Sequence, residues 1–205
     1  MVTDMAGTEG PRRVEIEQER VLLRDFFTVE EAMLRYERYD GQMSEPVRRL
    51  KLERGDSVAV LVRHIVTGKL LLVEQFKYPA YSHGDGWIVE TVAGMIDEGE
   101  GAEEAARREV QEEIGYGLLL LEPIATFYVS PGGTSERVAL FYGEVSDTTR
   151  VGAGRGLTSE GEDIEVRSYS PQDAWRALDT GEIADAKTLI GLMWLRTRLE
   201  AGHDG

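Results

Sequence analysis

Cysteine is absent from this sequence, positive charge is scarce, and no long apolar run interrupts it. Without cysteine there is no disulfide to staple the fold and no thiolate to act as nucleophile or metal ligand. A cytoplasmic setting is the expectation. The opening residues, MVTDMAGTEGPRR, lack the apolar stretch of a signal peptide. No later stretch approaches the roughly 20 apolar residues of a membrane span, so no membrane partner is expected. Lysine and arginine number 23 against 38 aspartates and glutamates, a formal net charge of −15. Non-specific binding to nucleic acid needs a basic footprint, and nucleic acid is therefore not expected as a partner. A small nucleotide is not excluded, because a bound metal ion can invert the local field.

What the sequence does have is apolar residues in periodic blocks, 41% of its 205 residues, which suits one domain with a small extra layer. Residues 1–12, small and charged, read as a disordered leader. Val14, Ile16, Val21 and Leu23 alternate among charges as in a strand. Residues 29–39 are ambiguous, since Thr28 and Glu31 could form a capping box. The hairpin signal Asp40-Gly41 favours strands at about 30–39 and 46–53 instead. Residues 57–63 and 69–76 read as buried strands around a Thr67-Gly68 turn, and residues 87–92 as one short strand. A helix is expected from Ala102 to Ile114, ended by Gly115. Pro123 punctuates the next segment, and strands follow at 124–129, 138–145 and 164–169. Residues 152–163, with four glycines, read as a mobile loop. A helix from Pro171 to Thr180 should stop at Gly181. The last helix, residues 185–200, should bury Leu189, Leu192, Met193 and Leu199. Strands around one central helix, with two helices at the end, imply a mixed α/β sandwich.

The most informative stretch is residues 94–116, GMIDEGEGAEEAARREVQEEIGY, which reads G-x5-E-x7-R-E-V-x-E-E-x-G-Y without a gap. On a helix Glu109, Glu112 and Glu113 project together. Like charges at that spacing oppose each other by a few tenths of a kcal/mol per pair. A cluster of hard carboxylate oxygens suits a hard divalent cation such as magnesium, with manganese as a substitute. The bland alternative is a merely acidic, solvated helix face; the flanking glycines and arginine weigh against it.

With that motif laid out, the sequence resembles a Nudix hydrolase. The resemblance implies an α/β/α sandwich of mixed sheets that hydrolyses a nucleoside diphosphate linked to another moiety. It extends over nearly the whole chain. Arg24-Asp25-Phe26-Phe27, Gly41-Gln42-Met43-Ser44 and Val47-Arg48-Arg49 resemble the N-terminal part of bacterial ADP-ribose pyrophosphatases. Glu74-Gln75 and Val92-Ala93-Gly94-Met95-Ile96 continue the likeness. So do Ser130-Pro131-Gly132-Gly133-Thr134-Ser135-Glu136-Arg137 and the late acidic Glu160-Gly161-Glu162-Asp163-Ile164. The family reading divides the chain into an N-terminal antiparallel β-region, 1–55, and a catalytic domain, 56–205. It implies cleavage of ADP-ribose to AMP and ribose 5-phosphate. GDP-mannose or another nucleotide sugar is the alternative substrate, and a ligand-sensing module without catalysis is the alternative class.

Site roles follow from the resemblance together with the chemistry of each residue. Glu109 and Glu113, one turn apart, are the leading metal ligands, joined by Glu112 and by the backbone carbonyl of Ala93 where Gly94 lets the chain bend. Arg108 and Glu100 form a brace between the loop and the helix. The resemblance makes Glu160 the general base and Glu162 a further metal ligand, each able to exchange roles with the other. Phe26 and Arg49 would sandwich the adenine, as aromatic and guanidinium planes can. Arg54 and Lys77 would lie near the phosphates, with Gly94 and Met95 along the substrate, and Glu136 near the terminal ribose. The family usually has arginine where Lys77 stands, so a bidentate phosphate contact is not implied. A homodimer with exchange of the N-terminal region completes the expectation.

Overall fold

The computed structural model describes residues 10–156, 161 and 163–202; residues 1–9, assigned above to a leader, lie outside them. The chain forms two compact units, Met1–Arg54 with Ser130–Ser135, and Gly55–Val129 with Glu136–Gly205. In the first, β1 (Val14–Arg24), β2 (Thr28–Tyr36) and β3 (Val47–Glu53) make an antiparallel sheet in that order. The ambiguous segment after Thr28 is strand because Glu31 finds its partners across the sheet: Arg20 on β1 donates to it at 2.7 Å, and Arg48 on β3 binds it as well. Those two guanidinium groups hold the Glu31 carboxyl below its ordinary range. Gly41, at φ 79°, sits in the connection between β2 and β3, where Arg38 N–H donates to the Gln42 carbonyl at 2.8 Å. Segment 130–135 is tied to β3: Leu52 N–H donates to the Gly133 carbonyl at 2.9 Å, and Ser135 Oγ to Glu53 at 2.7 Å.

The second unit contains β4 (Ser57–His64), β5 (Leu70–Phe76), β6 (Trp87–Glu90), β7 (Val92–Met95), α1 (Ala102–Ile114), β8 (Leu120–Tyr128), β9 (Arg137–Val145), β10 (Glu165–Tyr169), α2 (Pro171–Thr180) and α3 (Ala186–Glu200). The sheet runs β10-β5-β4-β9-β8, with β6 paired to β5 and β7 to β4. Only the β4–β9 pairing among these is parallel. Because side chains alternate along a strand, β4 serves two cores at once. Val58, Val60 and Val62 pack with Ala105, Ala106, Val110 and Ile114 of α1. Leu61 faces the other way, into a cluster with Ala174, Ala177, Leu192 and Leu195 of α2 and α3. This is a mixed α/β sandwich with helices on both faces of the sheet, as expected.

The structure corrects several local expectations. Segment 87–92 is two strands rather than one: Thr91 leaves the ladder to donate its N–H to Thr188 Oγ1 at 2.8 Å. Pro123 lies inside β8 instead of before it. The proline is tolerated because β8 is at the end of the sheet order and the register shifts between Pro123 and Ala125. On α3 the buried positions are Thr188, Gly191, Leu192 and Leu195. Leu189 and Leu199 are partly buried, but Met193 is 60% exposed, so the stripe is rotated from the expected one. The helix turns its small Gly191 toward Leu61 instead. No helix among the described residues is long and apolar enough to cross a membrane.

Candidate active site

The glutamates of α1 owe their position to the apolar residues between them. Ala105, Ala106, Val110 and Ile114 anchor one face on the sheet, and the helical repeat then brings Glu109 and Glu113 to the edge of that buried face. Both are buried, Glu113 at 2% exposure. Beside them runs β7, paired to β4 with Ala93 opposite Ala59 and Gly94 opposite Val58. Ala93 N–H donates to Glu113 Oε2 at 3.2 Å. At Gly94 a Cβ would stand 1.9 Å from Glu109 Oε1, so glycine is what lets the carboxylate approach the strand. Burial pushes the Glu113 carboxyl well above its ordinary value, helped by the charges of Glu90 and Glu109 and opposed by Lys77 and the Ala93 N–H.

Arg108 gathers the entrance to the helix. It donates to Glu100 twice, from Nε at 3.0 Å and Nη2 at 2.9 Å, and to the Met95 carbonyl at 2.9 Å. Its Nη1 reaches Glu109 at 2.6 Å and Glu112 at 3.1 Å. Glu100 also receives the Asp97 N–H at 3.1 Å, and its carboxyl is held low, chiefly by Arg108. One guanidinium thus spans loop, strand and helix, and it also neutralises carboxylates that would otherwise repel. At the helix start Glu104 accepts from the Gly101 N–H at 3.0 Å, and Gly115 at φ 74° ends the helix as expected.

Behind Glu113 lies a polar group that sequence reasoning missed. Glu90, at the end of β6, is buried. Its Oε1 receives Lys77 Nζ at 3.1 Å and Gln75 Nε2 at 3.4 Å, and its Oε2 receives Lys187 Nζ at 3.0 Å. Lys187 also binds Asp185 at 2.6 Å. Burial disfavours the Lys187 ammonium, yet the two carboxylates outweigh that and raise its pKa. A carboxylate closing an apolar strand and a lysine opening an amphipathic helix are ordinary surface residues in one dimension. Only the placement of sheet and helix buries Glu90 and brings the partly buried Lys187 to it.

The remaining candidates are distributed over both units. In the second, Glu136 accepts from Ser57 Oγ at 2.9 Å. In the first, Phe26 stands on the β1–β2 turn, 78% exposed, with its ring edge-on to Phe27 at 4.8 Å. Arg49 on β3 donates to the Arg48 carbonyl at 3.0 Å, and Arg54 lies over the Phe27 ring at 5.9 Å. Glu160 and Glu162 lie outside the described residues. Of the segment 152–163 expected to be mobile, residues 157–160 and 162 lie outside the described residues, while the stretch up to Gly156 is fastened to α1. Arg155 N–H donates to the Glu113 carbonyl at 2.8 Å, Gly156 N–H to the Glu112 carbonyl at 3.1 Å, and Val151 N–H to the Gly115 carbonyl at 2.8 Å. The last carbonyls of a helix lack intrahelical partners, and these amides supply them.

Among the described residues no three carboxylate or imidazole groups stand converged on one point; Glu109 and Glu112 are turned toward Arg108. The chemistry of the donors nevertheless fits a hard divalent cation. Glu109 and Glu113 are two buried carboxylates that repel each other. Burial together with the charges of Glu90 and Glu109 raises the Glu113 pKa, a cost that a hard cation held between their oxygens would offset.

Residues 53–191 match the family model described as NUDIX domain. The chain is 40% identical over 195 residues to the ADP-ribose pyrophosphatase of Escherichia coli strain K12, covering 95% of this chain and 93% of that one. It is 34% identical to the ADP-ribose pyrophosphatase of Haemophilus influenzae, covering 89% and 86%. It is 31% identical to the GDP-mannose pyrophosphatase of Escherichia coli strain SMS-3-5, covering 91% and 96%. A solved structure titled "Crystal structure of ADP compounds hydrolase" has the same fold, with a TM-score of 0.72 at 20% identity over 95% of this chain and 98% of that one.

Proposed function

The chain belongs to the Nudix family of hydrolases, and on that premise we propose that it cleaves the pyrophosphate bond of ADP-ribose to AMP and ribose 5-phosphate with magnesium. The observation that carries the chemistry is the pair of buried carboxylates, Glu109 and Glu113, set against β7 at Gly94 and braced by Arg108. Those carboxylates, with Glu112 and the Ala93 carbonyl, would hold the metal. When bound, magnesium neutralises the charge on the phosphates and makes a bound water more acidic. The chain's own residues do the rest. Arg108 and Glu100 hold the loop and the helix in register. Lys77 supplies a point charge to a phosphate oxygen. Glu160 would take the proton of the attacking water, and Glu162 would be a further carboxylate ligand for the metal. Met95 and Gly94 border the substrate, and Glu136 contacts the terminal ribose.

Substrate choice is a separate matter. Relatives named ADP-ribose pyrophosphatase at 40% and 34% identity, against 31% for one named GDP-mannose pyrophosphatase, support ADP-ribose. Exposed Phe26 with Arg49 and Arg54 in the first unit would hold the adenine and the phosphates. Steady-state comparison of the two substrates tests this: kcat/KM should favour ADP-ribose, and a large preference for GDP-mannose overturns the assignment. Release of AMP with magnesium and none with chelator excludes a non-catalytic ligand sensor. We also propose a homodimer formed through the first unit, because Val14, Ile16, Val21, Leu22 and Leu23 leave the apolar side chains of β1 exposed.

A further inference from the structure

Lys187 lies outside the residues assigned to the reaction, yet its side chain is only 19% exposed. An ammonium drawn partly out of water is unfavourable unless it is paired, and Lys187 is paired twice, with Asp185 at 2.6 Å and Glu90 at 3.0 Å. Anchoring α3 does not require it. Asp185 already caps the helix, accepting from Thr188 N–H at 2.9 Å and Thr188 Oγ1 at 2.7 Å. Thr188 Oγ1 in turn accepts the Thr91 N–H, which joins α3 to the β6–β7 junction without any charge. What the lysine adds is a positive charge on one oxygen of Glu90. The other oxygen of that carboxylate is bound by Lys77, which is itself only partly buried.

We infer that Lys187 is a positioning residue that acts through Glu90 on Lys77, keeping the Lys77 ammonium free to move to a phosphate oxygen of the substrate. The inference rests on the reading above that Lys77 meets the pyrophosphate. Glu90 is shared between two ammonium groups, and its attraction for each is weakened by the other. With Lys187 gone, the buried carboxylate would keep Lys77 as its charged partner, beside the neutral Gln75 amide. An incoming phosphate would then compete with that carboxylate for the same cation. The loss should appear in substrate binding more than in turnover, because Lys77 would be held away in the free enzyme.

The test is steady-state kinetics on ADP-ribose at saturating magnesium, with thermal melting alongside. Lys187→Met should raise KM about tenfold while kcat stays within about twofold, the size expected when one partner of a buried charge pair is removed near a binding group. Lys187→Arg should recover most of the loss. The double variant Lys187→Met/Glu90→Gln, which removes both charges, should return KM to within about threefold of the parent. An unchanged KM in Lys187→Met overturns the inference, as does a double variant as impaired as the single one. Should Lys187→Met not fold, the neutral double variant still decides: a KM about tenfold above the parent counts against the inference, and a near-parental KM supports it. Absence of AMP release by the parent chain overturns the hydrolase reading and this inference with it. Normal parental turnover with an unmoved KM in the variants overturns the inference alone.

Discussion

At Glu113 burial and like charge act in the same direction, and both raise the carboxyl's pKa in the metal-free protein. A carboxyl whose folded pKa lies above its unfolded one contributes stability that is complete below the unfolded value. That contribution is lost as pH rises through the folded value. In chelator, the parent chain should therefore lose more stability than Glu113→Gln as pH rises above the ordinary carboxyl range, and the variant should melt at or above the parent's temperature once Glu113 has ionised. Differential scanning calorimetry in buffers spanning that rise checks it; a variant that melts well below the parent once Glu113 has ionised contradicts the sign. With magnesium the same substitution should lower kcat by orders of magnitude, about 100-fold or more, as removal of a charge-stabilising group does. Gly94 makes a complementary case. An alanine Cβ would overlap Glu109 Oε1, the end of a flexible side chain, so the fold should survive while the carboxylate is displaced. Gly94→Ala should stay within about 1 kcal/mol in urea denaturation yet lose about 100-fold in kcat.

Elements carry a different kind of constraint. Helix α1 ends where segment 151–156 donates amides to its last carbonyls, and Gly154 sits at φ 70° with its α-carbon facing the Glu113 carbonyl. A Cβ there would be 2.6 Å from that oxygen. Gly154→Ala combines a left-handed backbone with a backbone clash and should destabilise the chain by at least about 1 kcal/mol, read from the urea midpoint. The same fastening shows why glycine content is a poor guide to mobility within residues 152–156. Four glycines suggest mobility in one dimension, but here Gly152 and Gly154 allow close approach to the end of α1. Thr91 and Pro123 mislead for a related reason. A break within 87–92 is decided by a hydroxyl from α3, nearly a hundred residues away in sequence, and a proline inside a strand is decided by that strand's place in the sheet order.

For the whole molecule, two observables follow from mass action. A ligand that binds only the folded chain stabilises it, so millimolar magnesium should raise the melting temperature of the parent and leave Glu113→Gln nearly unmoved. The proposed dimer should weaken when a charge enters the apolar strip of β1. Ile16→Glu should shift the chain toward monomer in sedimentation equilibrium, without loss of the second unit's melting transition. An unchanged mass distribution in Ile16→Glu argues against β1 as the contact.

The sequence by itself determined the α/β architecture and the chemistry's centre. Apolar periodicity is a local property, and Gly94, Arg108, Glu109 and Glu113 lie on one strand and the helix that follows it after a short loop, where the chain's own geometry largely sets the distances. The tertiary structure alone decided that Met193 faces outward, and that Glu90, Lys77 and Lys187 share one buried carboxylate. Those outcomes depend on which faces of sheet and helix meet, and burial transforms the energy of a charge in a way that no local pattern encodes.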